Sequence, residues 1–239
     1  MCGSRINRRD MISFLGSVVA AAPFPALVEA ASQPQASEAH NPAAEASQIV
    51  TPQDALARLK EGNARFAGGK SMHAHEGADL RLQLKSGQHP FATVLGCSDS
   101  RVPIEIIFDQ GFGDLFVVRV AGNVITDDVL GSIEYARIHL NVPLLVILGH
   151  EECGAVTAAL EARSHASSDP LGIQYIVKLI QPAIANVDAT LPAPEQVHRA
   201  VESNVVWARD KLKKLAELHN LPIEIVGAVY DLEGSVRWL

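Results

Sequence analysis

Phe91-Ala92-Thr93-Val94-Leu95-Gly96-Cys97-Ser98-Asp99-Ser100-Arg101 is an uncharged, partly β-branched run that ends in a cysteine, an aspartate and an arginine. A short apolar run of this kind reads as a strand buried on both faces. A second stretch repeats the design: Leu144 to Leu148 runs into Gly149-His150-Glu151-Glu152-Cys153-Gly154. Two strand ends therefore deliver Cys97, Asp99, His150 and Cys153. Two thiolates, an imidazole and a carboxylate make a tetrahedral Zn2+ set, because sulfur and nitrogen donors suit a borderline-soft ion. Cys97 and Asp99 are alternate residues leaving one strand, and His150 and Cys153 are three apart across a strand-to-helix turn. A buried cysteine is by default only a small apolar side chain, but four such residues at two strand ends favour the metal.

Working outward, the segments alternate in kind. Thr51 reads as an N-cap with Pro52 at the first helical position, and Leu56, Leu59 and Phe66 give a stripe that stops at Gly68-Gly69. This helix is expected outside the main sheet, free to pack on a neighbouring subunit. Ala78 to Ser86 reads as a short helix and Ile104 to Asp109 as a helix or turn. Leu115 to Ala121 is a second strand, Asp127 to Leu140 a helix, and Val142 to Leu148 a third strand. Glu152 to Arg163 opens as a helix from the second motif, so its N-terminal N–H groups favour the Cys153 thiolate. Gly172 to Val187 and Glu195 to His219 are amphipathic helices without visible chemistry, and Pro222 to Tyr230 and Ser235 to Leu239 are strands. Such alternation means an α/β fold: a mostly parallel open sheet flanked by helices, with an N-terminal helical arm. Ligands in such sheets gather at the carboxyl ends of strands, where both motifs fall. His73-Ala74-His75 lies in a polar, Gly-flanked loop and reads as solvated rather than ligating.

The 239 residues, 48% of them hydrophobic, suffice for one sizeable core. A formal charge of -7 argues against nucleic acid or an anionic membrane surface as partner. Three cysteines are no disulfide framework, and Cys2 falls in a segment that reads as removed. In residues 1–30, Arg5, Arg8 and Arg9 precede an apolar stretch from Met11 to Val28, and Val28-Glu29-Ala30 offers small residues for cleavage. The pair Arg8-Arg9 resembles a twin-arginine export signal, which implies a periplasmic or secreted protein without a stable membrane anchor. Residues 31–50, rich in Ala, Ser, Pro, Gln and Glu, read as a flexible linker ahead of one domain over 51–239.

A structural zinc site is closed by four protein ligands, whereas a catalytic one keeps a position for water. Arg101 stands two residues after Asp99, and a guanidinium grips a carboxylate through two parallel hydrogen bonds. Arg101 can thus draw Asp99 off the metal and open its position, leaving Asp99 as an acceptor beside the reacting water.

Cys97-Ser98-Asp99-Ser100-Arg101 together with His150-x-x-Cys153-Gly154 resembles the signature of the β-class carbonic anhydrases, over about Thr51 to the C-terminus. The resemblance implies that Cys97, His150 and Cys153 are permanent zinc ligands and that Asp99 and Arg101 form the catalytic dyad. It also implies that Gln88 binds bicarbonate from across a dimer interface. Phe116, Ala121 and Tyr135 would line a narrow substrate pocket, with the Gly154 backbone against it. Val120, in Arg119-Val120-Ala121-Gly122-Asn123, stands where many relatives have Asn. The implied activity is reversible hydration of carbon dioxide to bicarbonate and a proton, in a homodimer or higher homo-oligomer. Two alternatives stay open: a zinc hydrolase of a related linear molecule such as carbon disulfide, and a non-catalytic zinc-stabilised binding module.

Overall fold

The structure, a computed structural model, describes residues 50–165 and 168–239. The expected export signal at 1–30 and the expected linker up to residue 49 lie outside the described residues. The chain enters through helix α1 (Pro52–Ala67) and helix α2 (Ala78–Gln83), which tightens into a 3-10 turn over Leu84–Ser86. Strand β1 (Ala92–Gly96), helix α3 (Ile104–Ile107), strand β2 (Leu115–Arg119) and a 3-10 turn at Ala121–Asn123 follow. Next come helix α4 (Asp127–His139), strand β3 (Leu144–His150), helix α5 (Gly154–Glu161), helix α6 (Leu171–Ile184) and helix α7 (Ala193–Leu218). Strands β4 (Glu224–Tyr230) and β5 (Val236–Trp238) end the chain.

The five strands form one sheet in the order β2-β1-β3-β4-β5. The first four are parallel and only β5 runs antiparallel. β1 and β3 are buried along their whole length, as their uncharged composition requires of strands covered on both faces. Alternation then divides the core. Leu95, Leu145, Ile147, Ile225 and Val229 face α4 to α7, while Val94, Leu144, Val146, Leu148 and Ala228 face α1 and α3. Each fully buried Leu or Ile contributes about 1.5–3 kcal/mol, so the strands that carry the two motifs belong to the stiffest part of the molecule.

Two expectations need correction. Helix α1 does not stand outside the sheet: one of its sides lies over the second face of its own sheet, with Ala55 and Leu59 fully buried. Its buried residues are Ala55, the expected Leu59, Gly62 and Asn63, while Leu56 and Phe66 are partly buried against the same core. Gly62 permits the approach, since a Cβ there would sit 1.8 Å from the Phe108 carbonyl oxygen. Asn63 then locks the contact, donating to the carbonyls of Ile107 and Gly234 and accepting from the Val236 N–H. The start of the helix is as expected, with Thr51 and Asp54 forming a reciprocal capping box. The second correction concerns His75, which is not solvated: its Nδ1 lies 2.8 Å from the Asp114 carboxylate, whereas His73 is exposed.

Candidate metal centre

Gly96 of β1 pairs in register with Leu148 of β3, so the residues that follow these two strands emerge side by side. Cys97, His150 and Cys153 are all buried, and their ligand atoms lie within 4.8 Å of one another. The turn between His150 and Cys153 passes through Glu152 at φ +55, a left-handed conformation that a non-glycine residue adopts at a cost. It places Cys153 at the N-cap of α5.

The donor chemistry fits a metal ion. His150 Nδ1 lies 2.9 Å from the Glu151 carbonyl and donates to it, which leaves Nε2 as the lone-pair nitrogen. That Nε2 is buried without a hydrogen-bond partner, a costly arrangement unless a cation takes the lone pair. The sulfurs point the same way. Cys97 is pulled far below the ordinary thiol range by a hydrogen bond from the Cys153 thiol and, against its burial, by the Gly122 N–H. Cys153 is driven up by that same bond to Cys97 and then by burial, although the N–H groups of Val156 and Ala155 oppose the rise. One thiolate forms readily, and a second needs a cation between the two.

Asp99 stands beside this cluster. Arg101 grips it with two parallel bonds, Nε to Oδ1 at 3.0 Å and Nη2 to Oδ2 at 2.9 Å, and the Arg101 backbone N–H adds a third at 2.9 Å. The Arg101 side chain holds the Asp99 carboxyl well below the usual carboxylate range and is itself held charged in return. Asp99 Oδ2 lies 3.8 Å from His150 Nε2. Arg101 Nη2 also donates to the Glu152 carbonyl at 3.2 Å, tying the loop after β1 to the strained turn after β3.

The other candidate residues are distributed differently. Ala121 opens the 3-10 turn whose Gly122 reaches Cys97, and Gly154 is exposed immediately after Cys153. Phe116 is level with Thr93, at the amino-terminal half of β1, and its ring stacks 6.2 Å from that of Tyr135 at an exposed edge. Gln88 is exposed ahead of β1, separated from Cys97 by a strand that spans roughly 16 Å at ~3.3 Å per residue. One chain therefore brings seven of the ten candidate residues together and leaves Gln88, Phe116 and Tyr135 apart from them. Val120 creates no unmet need: its N–H donates to the Gly96 carbonyl and its carbonyl accepts from Asn123.

Two polar residues in contact with the site lay outside the sequence reading. Arg119, at the exposed end of β2, donates from Nε to the Cys97 carbonyl at 2.9 Å and from Nη2 to the Asp99 carbonyl at 2.6 Å. Asn204, in the helix assigned no chemistry, donates to the Gly122 carbonyl at 3.0 Å. A charge ending an apolar strand and an amide inside an apolar helical stripe were the available signals.

A parallel α/β sheet that presents a buried set of two cysteines and one histidine at the ends of adjacent strands is the architecture of a metalloenzyme. The carbonic anhydrase family model matches residues 92–236. Carbonic anhydrase 2 of Mycobacterium tuberculosis is 43% identical over 189 residues, covering 78% of this chain and 91% of that protein. The carbonic anhydrase of Mycolicibacterium smegmatis is 52% identical over 126 residues, 53% of this chain and 61% of that one. Among solved structures, the β-carbonic anhydrase CcaA superposes with a TM-score of 0.61 at 28% identity, covering 77% of this chain and 94% of that chain. CafA of Aspergillus fumigatus superposes at 0.59 with 32% identity, covering 78% and 89%. The tetrameric β-carbonic anhydrases of Sordaria macrospora are represented at 0.59 and 27%, covering 75% and 93%. The chain belongs to the β-class carbonic anhydrases, a family of metalloenzymes whose general reaction is the hydration of carbon dioxide.

Proposed function

We propose that this chain interconverts carbon dioxide and bicarbonate with Zn2+ held by Cys97, His150 and Cys153, and that Asp99 and Arg101 are its catalytic dyad. The observation that carries the reading is the two-pronged grip of Arg101 on Asp99 directly beside a buried cluster of three donors. Zinc held there supplies Lewis acidity that turns water into a nucleophile at modest pH. The rest falls to the protein. Asp99, kept ionised by Arg101, can only accept a hydrogen bond, so its Oδ2 takes one from the attacking water and leaves the lone pair of that water for the carbon atom. Carbon dioxide carries no charge, and apolar surface from Ala121, Phe116 and Tyr135 suits it, while the Gln88 amide suits the bicarbonate product. A closed zinc module requires Asp99 as fourth ligand; here that carboxylate is committed to Arg101.

The separation of Gln88, Phe116 and Tyr135 from the cluster within one chain supports a homodimer in which each site borrows these residues from its partner. The arginine pair and apolar run of residues 1–30 support export, and no helix among the described residues is long and apolar enough to cross a membrane. Sequencing the N-terminus of protein from the periplasmic fraction tests the export step; an intact Met1 there argues against cleavage. Stopped-flow hydration of carbon dioxide by zinc-loaded protein at mildly alkaline pH tests the reaction. A rate no higher than that of the Cys97→Ala protein would remove the proposal.

A further inference from the structure

We infer that Asn204 is a positioning residue for the metal centre, holding the Ala121–Asn123 turn so that the Gly122 N–H stays aimed at the Cys97 sulfur. The inference rests on the zinc reading above. The buried stripe of α7 is Ala200, Val201, Asn204, Val205, Ala208 and Leu212, apolar except at Asn204. A buried amide is costly without a partner, so packing alone favours an apolar residue at this position. Asn204, 4% exposed, spends its amide on the site: Nδ2 donates to the Gly122 carbonyl at 3.0 Å.

Gly122 in turn donates its N–H to Cys97 Sγ at 3.3 Å. These two bonds sit on the two peptide planes that flank Gly122. Gripping one plane sets the other through a single pair of torsions, φ +67 and ψ 18. Glycine alone does not hold such a conformation, because it moves between left- and right-handed regions at little cost. The turn's own bond from the Asn123 N–H to the Val120 carbonyl closes it around Gly122, Asn204 adds a hold on the Gly122 carbonyl from outside, and a Cβ at Gly122 would meet Ile180 and Ala155 at 2.7 and 3.1 Å. An N–H aimed at a thiolate withdraws charge from the sulfur and orients its remaining lone pairs toward a cation, the role that outer hydrogen bonds play around metal ligands.

The experiment compares zinc-loaded wild type with Asn204→Leu, which keeps the number of side-chain heavy atoms and the branch at Cγ, is somewhat bulkier, and removes the donor. Asn63→Leu is the control, since Asn63 is an equally buried amide that caps backbone carbonyls on the opposite face of the sheet. Loss of zinc to a chelator is expected to become about 10–100-fold more favourable in Asn204→Leu, and the thiolate-to-cobalt charge-transfer band of the cobalt-substituted protein to move to lower energy. Asn63→Leu is expected to lower stability and leave both readouts in place. A folded Asn204→Leu protein with wild-type zinc retention and an unmoved band overturns the inference, as does an equal shift in Asn63→Leu. Should Asn204→Leu fail to fold, Asn204→Ser, which adds no bulk, is read the same way. Independently of any variant, wild type loaded with NMR-active cadmium is expected to show coupling from the metal to the Gly122 amide proton, and its absence overturns the inference. Wild type that shows these metal signatures without hydrating carbon dioxide sinks the proposed reaction alone. Wild type that binds no metal sinks both.

Discussion

Asp99 and Arg101 make the sharpest expectation at the scale of single residues. Three hydrogen bonds from Arg101 hold Asp99, while the three metal donors make no use of its carboxylate. Asp99→Asn is therefore expected to keep metal content near wild type and to lower kcat by about a hundredfold or more, the scale of a group that orients the attacking water. Wild-type turnover in that variant would show the dyad to be misassigned. Cys97→Ala is expected to lose both metal and activity, and elemental analysis after gel filtration distinguishes the two outcomes. Most of this site was legible in the sequence, because metal donors and a carboxylate-arginine pair declare themselves by residue type and spacing. Arg119 and Asn204 did not, because each acts through a backbone carbonyl, and carbonyls carry no sequence signature.

At the scale of elements, α1 is the most informative piece. Its helical period was plain, and beside the expected Leu59 the buried side takes in Ala55, Gly62 and Asn63, because Gly62 lets the helix settle against Phe108. Gly62→Ala is expected to cost about 1–3 kcal/mol, the usual range for forcing extra volume into a packed contact, measured by urea unfolding. Little change would mean that α1 adapts freely. The loop after α1 is pinned by Asp109, which accepts from the Met72 and His73 N–H groups and pairs with Arg65. Burial opposes ionisation of Asp109, but Arg65 and those N–H groups outweigh it and leave its carboxyl below the ordinary range. The folded state thus binds fewer protons at this group than the unfolded chain does. Its contribution is present above the unfolded value of about 3.9 and is lost as pH falls through and below it. Asp109→Asn is expected to lower stability near neutrality and to flatten the acid-side decline in the urea midpoint. An unchanged acid slope would place that decline elsewhere.

At the scale of the whole molecule, the sheet separates Gln88 and the Phe116–Tyr135 pair from the metal donors of the same chain, and the expected remedy is a second copy. Co-expressing Gln88→Ala chains with Asp99→Asn chains tests it. In a two-fold dimer one site of a mixed pair would collect both defects and the other neither, so activity is expected to return toward roughly a quarter of wild type. No recovery above the separate variants would show that each site is complete within its own chain. By itself the sequence determined the alternation of strands and helices, the parallel sheet and the candidate metal donors, since these follow from local periodicity and side-chain chemistry. Only the tertiary structure decided which face α1 covers, which backbone carbonyls Arg119 and Asn204 hold, and how far Gln88 stands from Cys97. Those depend on distances between segments remote in the chain, which close packing sets and local pattern does not encode.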